Sequence, residues 1–342
     1  MLRITFINVG YGDSILLEEL KDSKRIFTML VDGGSPFEGE YRRAYEVHPD
    51  RCPPSKYLIQ HGIERLDVIF LTHFHIDHVG GIPDVMREIP FGEVWANYHL
   101  PMPLPERIRT SGLLIHPESI EMHRSLELLQ EMEKLANIVG HDITPILKHR
   151  FEENLTGNLI ADLYAVKPDL AKNTELLVKQ VCNSRAYGVE SALYTLDKTQ
   201  NASCAALRIS YRGRSALLAA DLPHSYWNSL IDKGYSIHAD ILKFPHHGHE
   251  DGTSLKFTGN VDPSHVVFCV SADNPFGCPK PSVFSTFKEN VRFHATGEIY
   301  MPPALELLSP HTAVVCEIAD DSSLQWGIET TASDNAIMFY QE

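Results

Sequence analysis

The chain has 342 residues, 43% of them hydrophobic, which is enough for a substantial core in one large domain or two ordinary ones. Thirty basic against forty-five acidic side chains give a formal charge of −15, which argues against a broad basic surface that grips nucleic acid regardless of sequence. Cys52, Cys182, Cys204, Cys269, Cys278 and Cys316 form no C-x-x-C pair and no disulfide framework, so reduced thiols and a cytoplasmic location are expected.

The N-terminus, MLRITFINVGYGDSILLEE, alternates like a strand and has neither a basic leader region nor an uninterrupted apolar stretch. No run approaches the ~20 apolar residues that span a bilayer, so no membrane role is expected. Strands are predicted at Leu2–Val9, Ser14–Glu18 and Arg25–Val31, the last stopping at Asp32-Gly-Gly-Ser; three in succession suggest an antiparallel sheet edge. A short buried-type strand, Asp67–Thr72, leads into LTHFHIDHVGG, and a helix is predicted from Pro83 to Ile89.

Between about Leu100 and Thr199 the pattern changes. A proline-rich connector precedes Glu118–Val139, where Met122, Leu126, Leu129, Met132, Leu135 and Ile138 recur at helical spacing until Gly140. This region, 100–199, is expected to be a helical insertion or lid within a single domain spanning 1–342. Strands resume at Cys204–Ser210, Ser215–Ala220, Ala239–Phe244 and His265–Val270, with a hairpin turn at Arg212-Gly-Arg214. Helices are expected at Ser225–Lys233 and Ser282–Asn290, and closing strands at Thr312–Ile318 and Ala336–Tyr340.

The chemistry concentrates at His73, His75, Asp77 and His78. Imidazole and carboxylate suit borderline divalent ions such as Zn²⁺, Mn²⁺ or Fe²⁺. His73 and His75 face one way on an extended chain, with Asp77 and His78 across the turn. One metal would struggle to use all four; two adjacent metals could share them.

These residues resemble the H-x-H-x-D-H signature of the metallo-β-lactamase fold, a four-layer αββα sandwich of hydrolases in the α/β class with metals at one end between the sheets. The resemblance implies His73 and His75 on one metal, and Asp77 and His78 on the second. It also implies a bridging carboxylate from Asp221, which ends the strand SALLAAD. The strand ADILKFPHHGH ends in His246, His247 and His249. One of the first two is expected to complete the second metal; strand-end position selects His246, which leaves His247 for substrate phosphate contact or proton donation.

A narrower resemblance covers most of the chain outside the middle region. FINVGYGDSILLE, LVDGG, LTHFHIDHVGG, Asn201-x-Ser203 and ADILKFPHHG are together similar to the soluble domain of ComEC-type DNA-uptake proteins and their stand-alone relatives, thought to cut phosphodiesters. By position Gly10, Gly12, Asp13, Asp32, Gly33 and Gly34 match, as structural turns and sheet-end contacts. Departures are Asn8 and Tyr11 where relatives usually carry Asp and Gln, Ala220 where a glycine is common, and Cys278 in place of a histidine. Residues 150–220 contain no histidine to complete the first metal. Either His99, His116, His123, His141 or His149 reaches across, or that site keeps an open position; the open position is expected.

The expected activity is metal-dependent hydrolysis with one or two Zn²⁺ or Mn²⁺ ions, in which a hydroxide held between the cations is oriented by Asp77. A phosphodiesterase or nuclease-like enzyme leads, with a small phosphodiester or single-stranded nucleic acid as substrate. The alternatives are an ester, lactone or thioester hydrolase, or a metal-stabilised non-catalytic partner protein. Arg208, Arg212, Arg214, Lys243 and Lys280 could form a local basic rim.

Overall fold

The computed structural model describes residues 1–106, 108, 114–145, 151–165, 167–184, 186–271, 273–299, 311–330 and 337–340. Alternation along the strands shows why two sheets form. In Leu66–Leu71, Ile69 and Leu71 join a core with helices, while Val68 and Phe70 join another core facing the opposite way. In Arg214–Leu218, Leu217 faces one core and Leu218 another. Strands that are apolar on both faces must be covered on both faces.

Among the described residues the first sheet uses β1 (Leu2–Ile7), β2 (Ile15–Lys21), β3 (Lys24–Val31), β4 (Leu66–Leu71), β5 (Phe91–Ala96) and β6 (Ile143–Pro145). The second uses β7 (Phe151–Asn154), β8 (Leu159–Tyr164), β9 (Ala206–Tyr211), β10 (Arg214–Leu218), β11 (Ile241–Lys243), β12 (His265–Phe268) and β13 (Arg292–Ala295). The chain then returns to the first sheet with β14 (Ala313–Ile318), β15 (Leu324–Glu329) and β16 (Ile337–Phe339). The orders are β16-β15-β14-β1-β2-β3-β4-β5-β6 and β13-β12-β11-β10-β9-β8-β7.

The two inner faces share a core that includes Ile4, Phe6, Leu17, Phe70, Leu163, Leu207, Leu218 and Val267. Helices cover the outer faces, Met122, Leu126 and Leu129 packing with Ile69 and Leu71 on one side and Trp227 and Phe257 with Leu217 and Leu242 on the other. The result is a four-layer αββα sandwich. Each large apolar side chain buried in it contributes roughly 1.5–3 kcal/mol relative to an exposed one.

Some expectations change. The opening strands lie mid-sheet and not at an edge, because β14 pairs with β1 from Leu2↔Ile318 to Ile7↔Ala313. The helix expected to reach Asn290 spans only Pro281–Phe284; Ser285 and Thr286 hydroxyls donate back to the carbonyls of Ser282 and Val283, which competes with the helical ladder. The middle region does hold a long helix, Pro117–Ile138, and two more at Pro168–Asn183 and Ala186–Gln200. It also supplies β6 to the first sheet and β7 and β8 to the second.

A candidate metal centre at the strand ends

β3, β4, β10 and β11 end on one side of the sandwich, where their following residues converge. β3 and β4 run parallel in one sheet, as do β10 and β11 in the other, so all four C-terminal ends point the same way within each pair. Turning the chain away from these ends requires left-handed backbone at non-glycine positions: Asp32 (φ 58°), Ala220 (50°), His246 (49°) and His247 (50°). Each such residue costs of order 1–3 kcal/mol, and such strain gathers at functional sites. A glycine at Ala220 would adopt this φ freely. Gly12 is needed for a different reason, because a Cβ on it would stand 2.3 Å from the carbonyl oxygen of Asp77. The backbone N–H of Asp13 donates to that same oxygen at 3.2 Å, which ties the GYGD turn to the histidine loop.

Every imidazole in the cluster is oriented by a partner on its far nitrogen. His78 Nδ1 donates to Asp32 Oδ2 at 2.8 Å, and His247 Nδ1 donates to the Cys269 carbonyl at 2.8 Å. Thr72 Oγ1 donates to Asp32 Oδ2 at 2.7 Å and accepts from His73 Nδ1 at 3.1 Å. His75 Nε2 donates to the Asp197 carbonyl at 3.2 Å. These bonds fix the tautomers and turn the remaining lone pairs inward.

Inside, His73 Nε2 and His75 Nδ1 stand 3.1 Å apart, and His78 Nε2 and His247 Nε2 stand 3.3 Å apart. His247 Nε2 lies 3.3 Å from Asp77 Oδ2 and 3.4 Å from Asp221 Oδ2. Asp221 Oδ2 lies 3.5 Å from His78 Nε2, and its buried Oδ1 has no hydrogen-bond partner. Lone pairs facing lone pairs beside an orphaned carboxylate oxygen repel one another unless a cation lies between them, so the donor set fits divalent metal. The groups His73, His78, Asp221 and Asp77, His78, His247 each bring one ligand atom within 4.8 Å of the others.

Without metal the cluster would hold protons instead. Burial opposes charge on His78, yet the Asp221, Asp77 and Asp32 carboxylates outweigh it and raise its pKa. Burial likewise pushes Asp77 up, but His78 and His247 hold it below the usual carboxylate range. His73 is pushed down by burial and by its neighbours His78 and His75.

Of the residues expected at the site, the structure brings His73, His75, Asp77, His78 and Asp221 together, and it places His246 outside the cluster. The imidazole of His246 is held between Asp251 (Nδ1 to Oδ1, 2.8 Å) and Asn201 (Nε2 to Nδ2, 2.9 Å), and it stacks on His249. It is His247 that faces the cluster, at 3.3 Å from Asp77 Oδ2 and 3.4 Å from Asp221 Oδ2, which corrects the choice of His246. The cause is the pair of left-handed residues, which swings the second histidine inward.

Of the histidines considered for the first metal, His99 and His141 lie against Tyr98 and Phe91, His116 against Tyr194, and His123 near Glu127; His149 falls outside the described residues. The group beside His75 is Asp197, whose carbonyl accepts from it and whose Oδ1 lies 3.7 Å away. Of the cations that could have formed a local basic rim, Lys243 is fully buried, and Arg208, Arg212 and Arg214 pair with Asp162, Asp320 and Asp240. Lys243 Nζ pairs with Asp13, donates to the Ala220 carbonyl at 3.1 Å and lies 3.6 Å from Asp221 Oδ1. Burial disfavours its charge, but Asp13 and Asp221 outweigh that and keep it protonated. Asp32, Asp13 and Lys243 are thus supporting residues of the centre, each flanking a strand end.

Residues 8–150 match the family model described as the Metallo-beta-lactamase superfamily. Among curated proteins, the chain is 30% identical over 120 residues to a hydroxyacylglutathione hydrolase of Stenotrophomonas maltophilia (strain R551-3), covering 35% of this chain and 42% of that protein. It is 34% identical over 103 residues to hydroxyacylglutathione hydrolase 2 of Vibrio vulnificus (strain YJ016), covering 30% and 36%. The chain therefore spans about two fifths of the length of the curated relatives it matches. Among solved structures, Zn(2+)-bound PqqB from Methylobacterium extorquens aligns with TM-score 0.42 and 10% identity over 86% of this chain and 97% of that one. No helix among the described residues is long and apolar enough to cross a membrane.

Proposed function

We propose that the protein is a metal-dependent phosphodiesterase whose ligands are His73, His75, Asp77, His78, Asp221 and His247. The observation that carries metal-dependent hydrolysis is the convergence of His78 Nε2, His247 Nε2, Asp77 Oδ2 and Asp221 Oδ2 on one buried point. Divalent ions held there, Zn²⁺ or Mn²⁺, would supply Lewis acidity and lower the pKa of a water toward neutrality. Asp77 Oδ2 is placed to accept a hydrogen from that water and aim it. Asp221, anchored from behind by Lys243, spans the His73 and His247 sides of the cluster. His73 and His75 would hold the remaining position, with Asp197 beside His75. His246, held between Asp251 and Asn201, stands beside the centre and outside its ligand set.

The phosphodiester reading rests on the motifs outside the histidine loop. The GYGD turn and the LKFPHHG strand, both features of the ComEC-like resemblance, meet through Asp13 and Lys243 directly behind the cluster. A thioester hydrolase is the second reading, favoured by the hydroxyacylglutathione hydrolases, although that likeness covers 103–120 residues. Hydrolysis of bis-p-nitrophenyl phosphate and of S-lactoylglutathione, each with added Mn²⁺ or Zn²⁺, separates them. Faster turnover of the phosphodiester is expected; turnover of the thioester alone would overturn the proposal.

A further inference from the structure

Beside the cluster, aromatic rings run outward from the buried centre to solvent. The ring of Tyr11 lies 4.5 Å from that of His247, and Phe276 lies 5.3 Å beyond Tyr11. His249 closes the group, 5.3 Å from Phe276 and with Nε2 3.4 Å from the Tyr11 hydroxyl. A single exposed apolar side chain is ordinary on a protein surface. Phe276 differs, being 49% exposed while touching two rings that lead back to a candidate ligand. The loop that carries it is fixed from both ends: Asn274 Nδ2 donates to the Cys278 carbonyl at 2.9 Å, and Lys280 Nζ donates to the Phe276 carbonyl at 2.6 Å.

We infer that Tyr11, Phe276 and His249 form a stacking platform for the nucleobase of a short or single-stranded nucleic acid or a nucleotide phosphodiester. The inference rests on the phosphodiesterase reading and names its substrate class. In a nucleotide, base and phosphate are separated by one sugar, so a base laid on Phe276 or Tyr11 keeps its phosphate within reach of the cluster. Stacking on aromatic faces tolerates any base and needs no basic track along a duplex, which agrees with the net charge of −15.

The test compares thymidylyl-(3′→5′)-thymidine with the same diester in which both bases are replaced by hydrogen, the products being quantified by chromatography. The wild type should prefer the base-bearing diester by ~10-fold or more in kcat/KM, mainly through KM, as expected for one stacked base. That ratio should fall several-fold in Phe276→Ala and Phe276→Leu and recover in Phe276→Trp, which separates loss of the π face from loss of bulk. Equal kcat/KM for the two diesters in the wild type would overturn the platform while leaving the phosphodiesterase reading intact. Hydrolysis of neither diester, with thioester turnover present, would overturn both.

Discussion

Lys243 donates from Nζ to the carbonyl of Ala220 at 3.1 Å, in the left-handed residue just before Asp221, while its charge is matched by Asp13 on the opposite sheet. A lysine buried in this way holds the turn that presents a metal-facing carboxylate. Removing one partner of a buried pair leaves the other charge uncompensated, which costs roughly 3–5 kcal/mol. Lys243→Met should therefore lose about that much in denaturant unfolding and bind less metal. Unchanged stability and metal content would show that the pair is incidental.

His247 and His246 are neighbours with opposite surroundings, one facing Asp77 and Asp221 and the other facing Asp251 and Asn201. His247→Ala should purify with less bound metal than the wild type, whereas His246→Ala should keep its full complement. Elemental analysis of the two variants decides it, and the reverse result would restore the assignment expected from strand-end position.

Asp32 accepts from Thr72 N at 2.8 Å, from Thr72 Oγ1 at 2.7 Å and from His78 Nδ1 at 2.8 Å, and so orients two ligand rings at once. Losing such a supporting partner typically weakens metal binding 10–100-fold. Asp32→Asn tolerates the same left-handed backbone and should show a loss of that size in competition with a chromogenic chelator.

Away from the cluster, His294 is buried and stacked on Trp326 at 4.1 Å. Burial, with His265 beside it, pushes its pKa down to about 3, from an ordinary 6.5. As pH falls below ~6.5 the unfolded chain takes up this proton and the folded chain does not, so stability falls by up to ~1.4 kcal/mol per pH unit until about pH 3. Unfolding curves for His294→Gln should show a shallower decline between pH 6.5 and 4.5 than those for the wild type.

Much of this was legible in the letters. The HFHIDH run and the apolar strand before it drew attention to the cluster, whereas Asp221 was singled out only through the resemblance, since an aspartate that ends an apolar strand is more often a turn or helix cap. Which of His246 and His247 turns inward was not readable, since it depends on two consecutive left-handed residues that no periodicity signals. Lys243 resembled a surface cation because burying an ammonium makes sense only once Asp13, from a distant turn, is known to meet it. In the middle region Leu159–Tyr164 joins the second sheet, but its six residues are too short a run to stand out beside strong helical spacing.

Asp77 carries the central claim, since the proposed function makes it both a ligand and the group that aims the attacking water. The most direct measurement is bis-p-nitrophenyl phosphate hydrolysis by the wild type and Asp77→Asn side by side with Mn²⁺ or Zn²⁺, with metal content determined on both. The account predicts measurable wild-type turnover and a loss of ~10²–10⁴-fold in the variant, the range for a positioned proton acceptor. Equal rates in the two proteins would contradict it.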